Sequence, residues 1–546
     1  MFDLAQESFA KQGDNFFLEK TRGVLIVSEA VFKKKYKDIQ EKKWFLFSKR
    51  QEVLPEQASF LLRCDLQNEE VFLTEKTTVT LSNIEISTRL FFVLLFRTRV
   101  TVGERFSITR HVDNEDCIRE HGMARNSPVW LGRNEAVPSL VLENIERMPL
   151  NSVGCSLQKL NLRDTGLINI LPKLRINGDC EVGMIWLYAP RKEHVAAVLA
   201  QKKPFCVGRV RKMDLEDYAV GIITKMILKD CEIERLRLDA GEEAHVAAVL
   251  KQEKPFCVGR VKNMVLQGYA ASVITKMSPK DCEFESLILI APKEEHFDAV
   301  LKQKKPFCDG GVKIMHLWDY AVGVITKMSL KDCEIETLGL YASEEAQVAE
   351  VLKQENPFCV GRVKNMRFEG YAVDVITKMS LKDCEFESLI LIAPRKEHVA
   401  AVLKQENKIR VGRVKNMVLA GYTGNVITKM TFHKDNTMES FVLDAGRNQL
   451  SRILKKGDNS IDLGRIRLGG FHVPERRIGR KFRYTLVDGE GKEVTRKCSR
   501  KKDGHRDTLF PTEREGKYSR KKVTRKRSQQ VMEKQVGLMT RKKDLE

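Results

Sequence analysis

Residues 231–281 read CEIERLRLDAGEEAHVAAVLKQEKPF (231–256) followed by CVGRVKNMVLQGYAASVITKMSPKD (257–281), and this stretch decides the fold. Near-copies recur along the chain with a period of 51 residues, and a cysteine opens each half of the copy. A fixed period of this length predicts a stacked array, because each repeat is one supersecondary unit. The recurring cysteines are Cys180, Cys231, Cys282, Cys333 and Cys384 in one set, and Cys206, Cys257, Cys308 and Cys359 in the other.

Both halves of the repeat follow one plan, a strand and then a helix. Ile233, Leu236 and Leu238 have the spacing of a strand that is buried on one face. Val246 and Leu250 follow at i and i+4, which indicates an amphipathic helix. A unit of one strand and one helix cannot bury its own apolar edge, so it stacks on its neighbours. The sequence therefore predicts an α/β solenoid of alternating 26- and 25-residue strand–helix units.

This pattern resembles the leucine-rich repeat, particularly the ribonuclease-inhibitor-like version with two alternating unit types. The resemblance extends over about 138–471 and rests on the L-x-x-L-x-L-like strand cores. It implies a horseshoe-like stack with an exposed sheet. The chain departs from the family after the strand, where the family places Asn or Cys. In the second halves that place holds Tyr218, Tyr269, Tyr320, Tyr371 and Tyr422.

Three domains are predicted: a non-repetitive α+β N-terminal domain (1–130), the strand–helix solenoid (131–475) and a basic, disordered tail (476–546). In the N-terminal domain, alternating stretches at 71–86 and 97–112 predict strands, and a mixed helical segment is expected around 30–49.

Three further segments carry specific expectations. The apolar run LFFVLLF (90–96) is too short to span a membrane and is interpreted as a buried strand or helix. At the solenoid ends, SLVLENIERM (139–148) is interpreted as the strand of a first-half unit. LGRIRLGGF (463–471) is interpreted as the last strand.

The formal net charge of +21 is concentrated at the C-terminal end, where 471–546 holds 24 Lys and Arg against 11 Asp and Glu. Such blocks cannot pack into a core, so we expect disorder. A solubilising tail, a nuclear-localisation signal and non-specific binding of RNA, DNA or an anionic membrane all remain open. The basic residues concerned are Arg496, Lys497, Lys501, Lys502, Arg520, Lys521, Lys522, Arg525, Lys526 and Arg527.

The recurring cysteines predict a buried structural column of reduced thiols. Successive members lie 25 or 26 residues apart, not at the C-x₂₋₄-C spacing of zinc sites. The N-terminal sequence lacks the pattern of a secretory signal, which favours an intracellular protein, cytoplasmic or nuclear. A recurring histidine (194, 245, 296 and 398) is interpreted as a helix-surface or interface position, since alternate coils would separate its copies too far for one metal.

The strand positions that differ between copies point to a function. They form two columns, and because strands alternate faces with a period of two, both columns lie on the face away from the core. Aromatic and Arg side chains among apolar neighbours are typical of protein interfaces, whereas a nucleic-acid surface would be uniformly basic. Unselected drift is the alternative interpretation. The predicted partner-binding residues are Trp186, Tyr188, Asp214, Glu216, Arg237, Asp239, His316, Trp318, Tyr341, Arg367 and Glu369.

The sequence thus predicts a non-catalytic scaffold that binds a protein partner on the exposed sheet. We expect no enzyme activity and no cofactor, because no nucleophile lies beside a base and neither the phosphate-loop nor the dinucleotide pattern occurs. One alternative is a nucleic-acid-associated protein that acts through the basic tail. Another is a ubiquitin-ligase substrate adaptor, since 54–71 is faintly similar to an F-box.

Overall fold

The structure, a computed structural model, describes residues 8–32, 58–66, 70–110, 115–122, 127–278, 283–302, 312–328, 330 and 333–494. Its largest element is a parallel sheet of 14 strands that follow one another in sequence order, so the chain is a mixed α/β protein with a solenoid-like repeat. The strands are Val129–Arg133, Leu157–Arg163, Met184–Ala189, Lys212–Asp217, Glu232–Ala240, Arg260–Gly268, Glu283–Ala291, Ile314–Asp319, Glu334–Ala342, Arg362–Gly370, Glu385–Ala393, Arg413–Gly421, Ser440–Asp444 and Phe471–His472.

The inward side chains of these strands form the core, as the apolar spacing predicts. Ile233, Leu236 and Leu238 have no exposed surface. One core cluster joins residues from Phe9 to Phe482, so the N-terminal segment and the repeat share their hydrophobic interior. The chain divides into two units after Val494, and the second unit lies outside the described residues.

The helices after the second-half strands are 3₁₀ helices rather than the expected α-helical turns. Each ends in a lysine, and Lys225 and Lys276 show how it reaches the preceding coil: Lys225 Nζ donates to the Gln201 carbonyl at 2.7 Å, and Lys276 Nζ donates to the Gln252 carbonyl at 2.8 Å. These bonds satisfy carbonyls that the preceding helix end leaves open. The 3₁₀ helices are Gly166–Lys173, Tyr218–Lys225, Tyr269–Lys276, Tyr320–Lys327, Tyr371–Lys378 and Tyr422–Lys429.

The turn before each of these helices needs a left-handed residue. Asp217 has φ 56° and Gly268 has φ 62°. A Cβ atom on Gly268 would lie 2.3 Å from the Ala240 carbonyl oxygen, so this coil requires glycine. The recurring tyrosine therefore begins the helix instead of occupying the turn.

The first-half helices are short, mostly one 3₁₀ turn followed by one α turn. They are Lys192–His194 with Ala196–Leu199, Glu243–Leu250, Glu294–Phe297 with Asp298–Leu301, Glu345–Val348 with Ala349–Leu352, Lys396–Val399 with Ala400–Lys404, and Arg447–Gln449 with Ser451–Leu454.

The recurring histidines do not lie on the helix surface, because all four are buried. His245 Nδ1 accepts a hydrogen bond from the Glu242 N–H at 3.3 Å, and its ring meets the Tyr218 ring at 4.6 Å. In the copy without histidine, the Gln347 side-chain oxygen accepts from the Glu344 N–H at 3.1 Å. His245, His296 and Gln347 therefore cap their helices from inside the stack, whereas the buried Nδ1 atoms of His194 and His398 make no such bond.

The N-terminal strands are confirmed at Val71–Thr74, Thr78–Leu81, Ile84–Ser87, Arg99–Val102 and Phe106–Thr109. The LFFVLLF run is the buried helix Thr88–Arg97. The remaining strands before residue 130 are Ala10–Gln12, Asn15–Lys20, Gly23–Ser28, Ser59–Leu61 and Ile118–Glu120. The segment expected to be helical around 30–49 lies mostly outside the described residues, as does part of the F-box-like segment 54–71.

The interpretation of 139–148 as a strand is wrong: Ser139–Arg147 is an α-helix. Val141 and Ile145 are both buried and four residues apart, which is a helical spacing. Asn144 fixes this helix, since its amide donates to the Leu95 carbonyl at 2.9 Å. The first strand of the large sheet is Val129–Arg133 instead.

The end of the stack also differs from expectation. Ile461–Arg467 belongs to a separate three-stranded sheet with Thr437–Met438 and Phe482–Val487, and the large sheet ends at Phe471–His472. Packing therefore continues into the first residues of the predicted tail, because Phe482 is buried against Phe441 with ring centroids 5.4 Å apart. The short helix Arg476–Gly479 precedes the strand Phe482–Val487.

Short strands of two residues also pair outside the large sheet. They are Val153–Gly154, Leu174–Arg175, Glu181–Val182, Phe205–Cys206, Arg209–Val210, Met226–Ile227, Ile409–Arg410 and Met430–Thr431.

Candidate interaction surface on the large sheet

The sheet register places the predicted residues in two continuous columns. Trp186 pairs with Asp214 and Tyr188 pairs with Glu216, and the ladder continues without a break to Val418 and Ala420. At about 4.8 Å per strand, the ten strands of these columns extend over roughly 43 Å. The columns divide into zones of different chemistry.

The first zone combines aromatic rings with charges. The Arg163 guanidinium lies 4.4 Å from the centroid of the Trp186 ring, a cation–π distance. The Trp186 Nε1–H donates to Glu216 Oε1 at 3.1 Å. Burial raises the pKa of the neighbouring Tyr188, and the Asp217 carboxylate adds to the effect. Arg163 was not among the predicted residues, although extending the columns back by one coil would have found it.

The second zone is an ionic network. Arg235 holds Asp214 at 2.6 Å, and Arg237 donates to Asp239 at 2.9 Å and to the Gln267 amide oxygen at 3.3 Å. Asp214 is only 7% exposed, and this burial raises its pKa although Arg235 opposes the shift. The charges in this zone are compensated within the sheet, so it offers hydrogen-bonding groups more than net charge.

The third zone is an aromatic cluster. The Trp318 and Tyr341 rings stack with centroids 4.0 Å apart and an interplanar angle of 11°. The Tyr341 hydroxyl lies 3.4 Å from His316 Nδ1. Gly339 provides the space, because a Cβ there would approach His316 Nδ1 to 2.4 Å. Burial lowers the pKa of His316, and Arg367 lowers it further, so the cluster carries little charge at neutral pH.

Aliphatic side chains border the aromatic cluster directly on one side and lie beyond an ion pair on the other. Ile288 pairs with His316 and Ile290 pairs with Trp318 on one side. On the other side Arg367 and Glu369 form an ion pair at 3.3 Å and lie beside Ile390 and Ile392. The strands from the one that holds Val265 to the one that holds Ala420 contribute fourteen residues to the two columns. Among these described residues, Arg367 and Glu369 are the only ones with charged side chains.

Trp130 extends the surface and was missed by the sequence interpretation. It lies on the first strand of the sheet, pairs with Lys159, and is 62% exposed. The Lys159 ammonium lies 5.0 Å from its ring centroid. The predicted boundary at residue 130 separated this tryptophan from the repeat, whereas the alternation in VWLGR (129–133) could have indicated a strand.

The ten basic tail residues, from Arg496 to Arg527, lie outside the described residues. Within the described part of the chain, no cluster of three or more His, Cys, Asp or Glu could hold a metal ion. No helix in that part is long and apolar enough to cross a membrane. Comparison with models of known protein families, with curated proteins and with solved structures finds no match to this chain.

Proposed function

We propose that this chain is a non-catalytic, intracellular scaffold of leucine-rich-repeat type, with alternating 26- and 25-residue units, that binds a protein partner on the exposed face of its large sheet. The observation that supports this most is the stacked Trp318–Tyr341 pair. It has Ile288 and Ile290 on one side and the paired Arg367 and Glu369 on the other, with Ile390 and Ile392 beyond them. Rigid aromatic side chains surrounded by apolar contacts are the usual energetic centre of a protein interface.

The zones suggest a division of roles. The aromatic and aliphatic residues between Val265 and Ala420 supply affinity through apolar burial. The ionic network around Arg237 supplies orientation and discrimination, because its charges are already paired and a poorly matched partner would disturb them.

The test is a quantitative capture experiment with the full chain as bait. Trp318→Ala combined with Tyr341→Ala should reduce the capture of the partner at least about tenfold, since an interface anchor contributes on the order of 2 kcal/mol or more. Leu468→Ala is the matched control, because Leu468 is apolar and 63% exposed but follows a strand of the separate three-stranded sheet. Capture that is equal for all three proteins would contradict the proposal.

A further inference from the structure

The cysteines at repeat positions occur two at a time. When Cys155 in the first degenerate unit is included, the ten repeat cysteines form five pairs spaced 25 residues apart, with none left over. Spaced 26 apart, they would leave Cys155 and Cys384 single. The next equivalent positions toward the C-terminus hold Arg410 and Asn436, so both cysteines are absent there together. Because a 51-residue copy carries both cysteines together, such a pair is a chemical site only where its two thiols also meet in space.

In one such pair, Cys206 and Cys231, both sulfur atoms lie against the backbone of Gly208. The Gly208 N–H lies 3.4 Å from Cys206 Sγ, and the Cys231 thiol lies 3.4 Å from the Gly208 carbonyl oxygen. The two sulfur atoms therefore contact the same glycine from successive coils. Both thiols are free.

The thiol-to-carbonyl half of this contact recurs in the other described pairs. The Cys384 thiol lies 3.9 Å from the Gly361 carbonyl, and the Cys180 thiol lies 3.2 Å from the Leu157 carbonyl, each 23 residues back in sequence. Burial raises the pKa of Cys384 to about 11, and the nearby Cys359 raises it further. Burial likewise raises the pKa of Cys155 to about 12, with Cys180 as the next contribution.

In two of the three described pairs the members differ in access to solvent, whereas Cys155 and Cys180 are both half-buried. Cys359 is exposed and Cys206 is half-buried, whereas their partners Cys384 and Cys231 are buried. An accessible thiol beside a sheltered one is the arrangement in which the first reacts with an oxidant and the second resolves the product.

We propose that three pairs, Cys155 with Cys180, Cys206 with Cys231 and Cys359 with Cys384, are oxidisable dithiol sites that close into disulfides between successive coils when the chain meets a peroxide. The two other pairs, 257 with 282 and 308 with 333, each have one member outside the described residues and are not part of the proposed site.

The reaction balances with hydrogen peroxide as the oxidant. The thiolate of the accessible cysteine attacks one peroxide oxygen; the S–O bond forms, the O–O bond breaks, and hydroxide leaves and is protonated to water. The sulfur of the buried partner then attacks the sulfenic sulfur; the S–S bond forms, the S–O bond breaks, and a second water leaves with the thiol proton. Two thiols together lose two electrons, and one peroxide becomes two waters.

The experiment uses the full-length reduced protein, treated with hydrogen peroxide under native conditions, alkylated, digested and analysed by mass spectrometry. The expected products are peptides cross-linked 155–180, 206–231 and 359–384, which return to free thiols on reduction. The thermal midpoint of the oxidised protein should exceed that of the reduced protein by several degrees, because each link closes a short loop. Cross-links between cysteines 26 residues apart, or no cross-link at all, would overturn the proposal.

Matched variants separate pairing from general oxidation. Cys231→Ser should leave Cys206 unlinked while the 359–384 link still forms. If that variant does not fold, Cys206→Ser replaces the more accessible member instead and should leave Cys231 unlinked, again with the 359–384 link intact. Cys117 serves as the internal control: it is buried and belongs to no repeat pair, so it should form no cross-link. Links that persist in the serine variants would assign the chemistry to other cysteines and contradict the proposal.

Discussion

Asp374 is a buried carboxyl in a place where other coils use asparagine. Its oxygens accept hydrogen bonds from the Ala401 and Val402 N–H groups at 3.0 and 2.9 Å. Asn169 and Asn425 occupy the equivalent positions and also donate their side-chain amides to a backbone carbonyl. Ionised aspartate cannot make that last bond, and burial raises its pKa to about 6.

This comparison predicts that Asp374→Asn stabilises the protein at pH 7.5 by about 1–3 kcal/mol, since the raised pKa of the aspartate corresponds to at most about 3 kcal/mol at that pH. The carboxyl has a raised pKa when folded, so its contribution to stability is present at low pH and is lost as the pH rises through about 6. The advantage of the variant should therefore shrink as the pH falls from 6 toward 4. Denaturant unfolding of both proteins at pH 7.5 and at pH 4 measures this difference in stability.

The reverse substitution is the control. Asn425→Asp should destabilise the protein at pH 7.5, because it removes the amide donor that contacts the Gln449 carbonyl. An unfolding free energy of Asp374→Asn equal to that of the natural protein at both pH values would contradict this account of the site.

Several residue roles could not be read from sequence because they depend on contacts between coils. The recurring histidine falls on the predicted helix, but only the neighbouring Tyr218 ring and the Glu242 N–H reveal it as an internal cap. The recurring lysine carried no prediction, although Lys276 satisfies a carbonyl of the coil before it. The buried strand positions were predictable, since their periodicity alone determines the face.

At the scale of elements, two ladders of bonds join neighbouring coils, and they differ in energy. The starts of the strands carry ion pairs such as Arg362 with Glu334 at 3.0 Å, with side chains 86% and 73% exposed. Exposed pairs of this kind contribute about 0–1 kcal/mol. The lysine bonds lie partly buried at helix ends, where an unsatisfied carbonyl costs more.

We therefore expect Lys276→Met to lower the free energy of unfolding by about 1–3 kcal/mol, because the Gln252 carbonyl loses its partner. Arg362→Ala should change it by no more than about 0.5 kcal/mol. Denaturant unfolding of both variants provides the measurement. An equal loss in the two variants would show that the lysine ladder contributes no more than a surface pair.

Element types were harder to predict than element positions. Strands of the repeat fall where the apolar spacing places them, but the second-half helices are 3₁₀ because a left-handed residue such as Gly268 turns the chain sharply just before them. The helix Ser139–Arg147 was mistaken for a strand because SLVLENIERM begins with an apolar L-V-L run. Its burial at Val141 and Ile145 has the helical spacing that decides the type.

At the scale of the whole molecule, the period of 51 residues and the two-residue alternation of strands were enough to identify the exposed face and its columns. The sequence did not indicate how early the sheet begins, so Trp130 was assigned to another domain. It also did not indicate the neutral, stacked character of the Trp318 zone, since that depends on Gly339 leaving room for His316 and Tyr341.

The most direct test of the central claim is hydroxyl-radical footprinting of the full chain, alone and in complex with its captured partner. We expect the oxidation of Trp318 and Tyr341 to fall severalfold in the complex, because the partner covers the aromatic cluster. Oxidation of Leu468, which follows a strand of the separate three-stranded sheet, should be unchanged. Protection of Leu468 with full oxidation of Trp318 and Tyr341 would contradict binding at the exposed face.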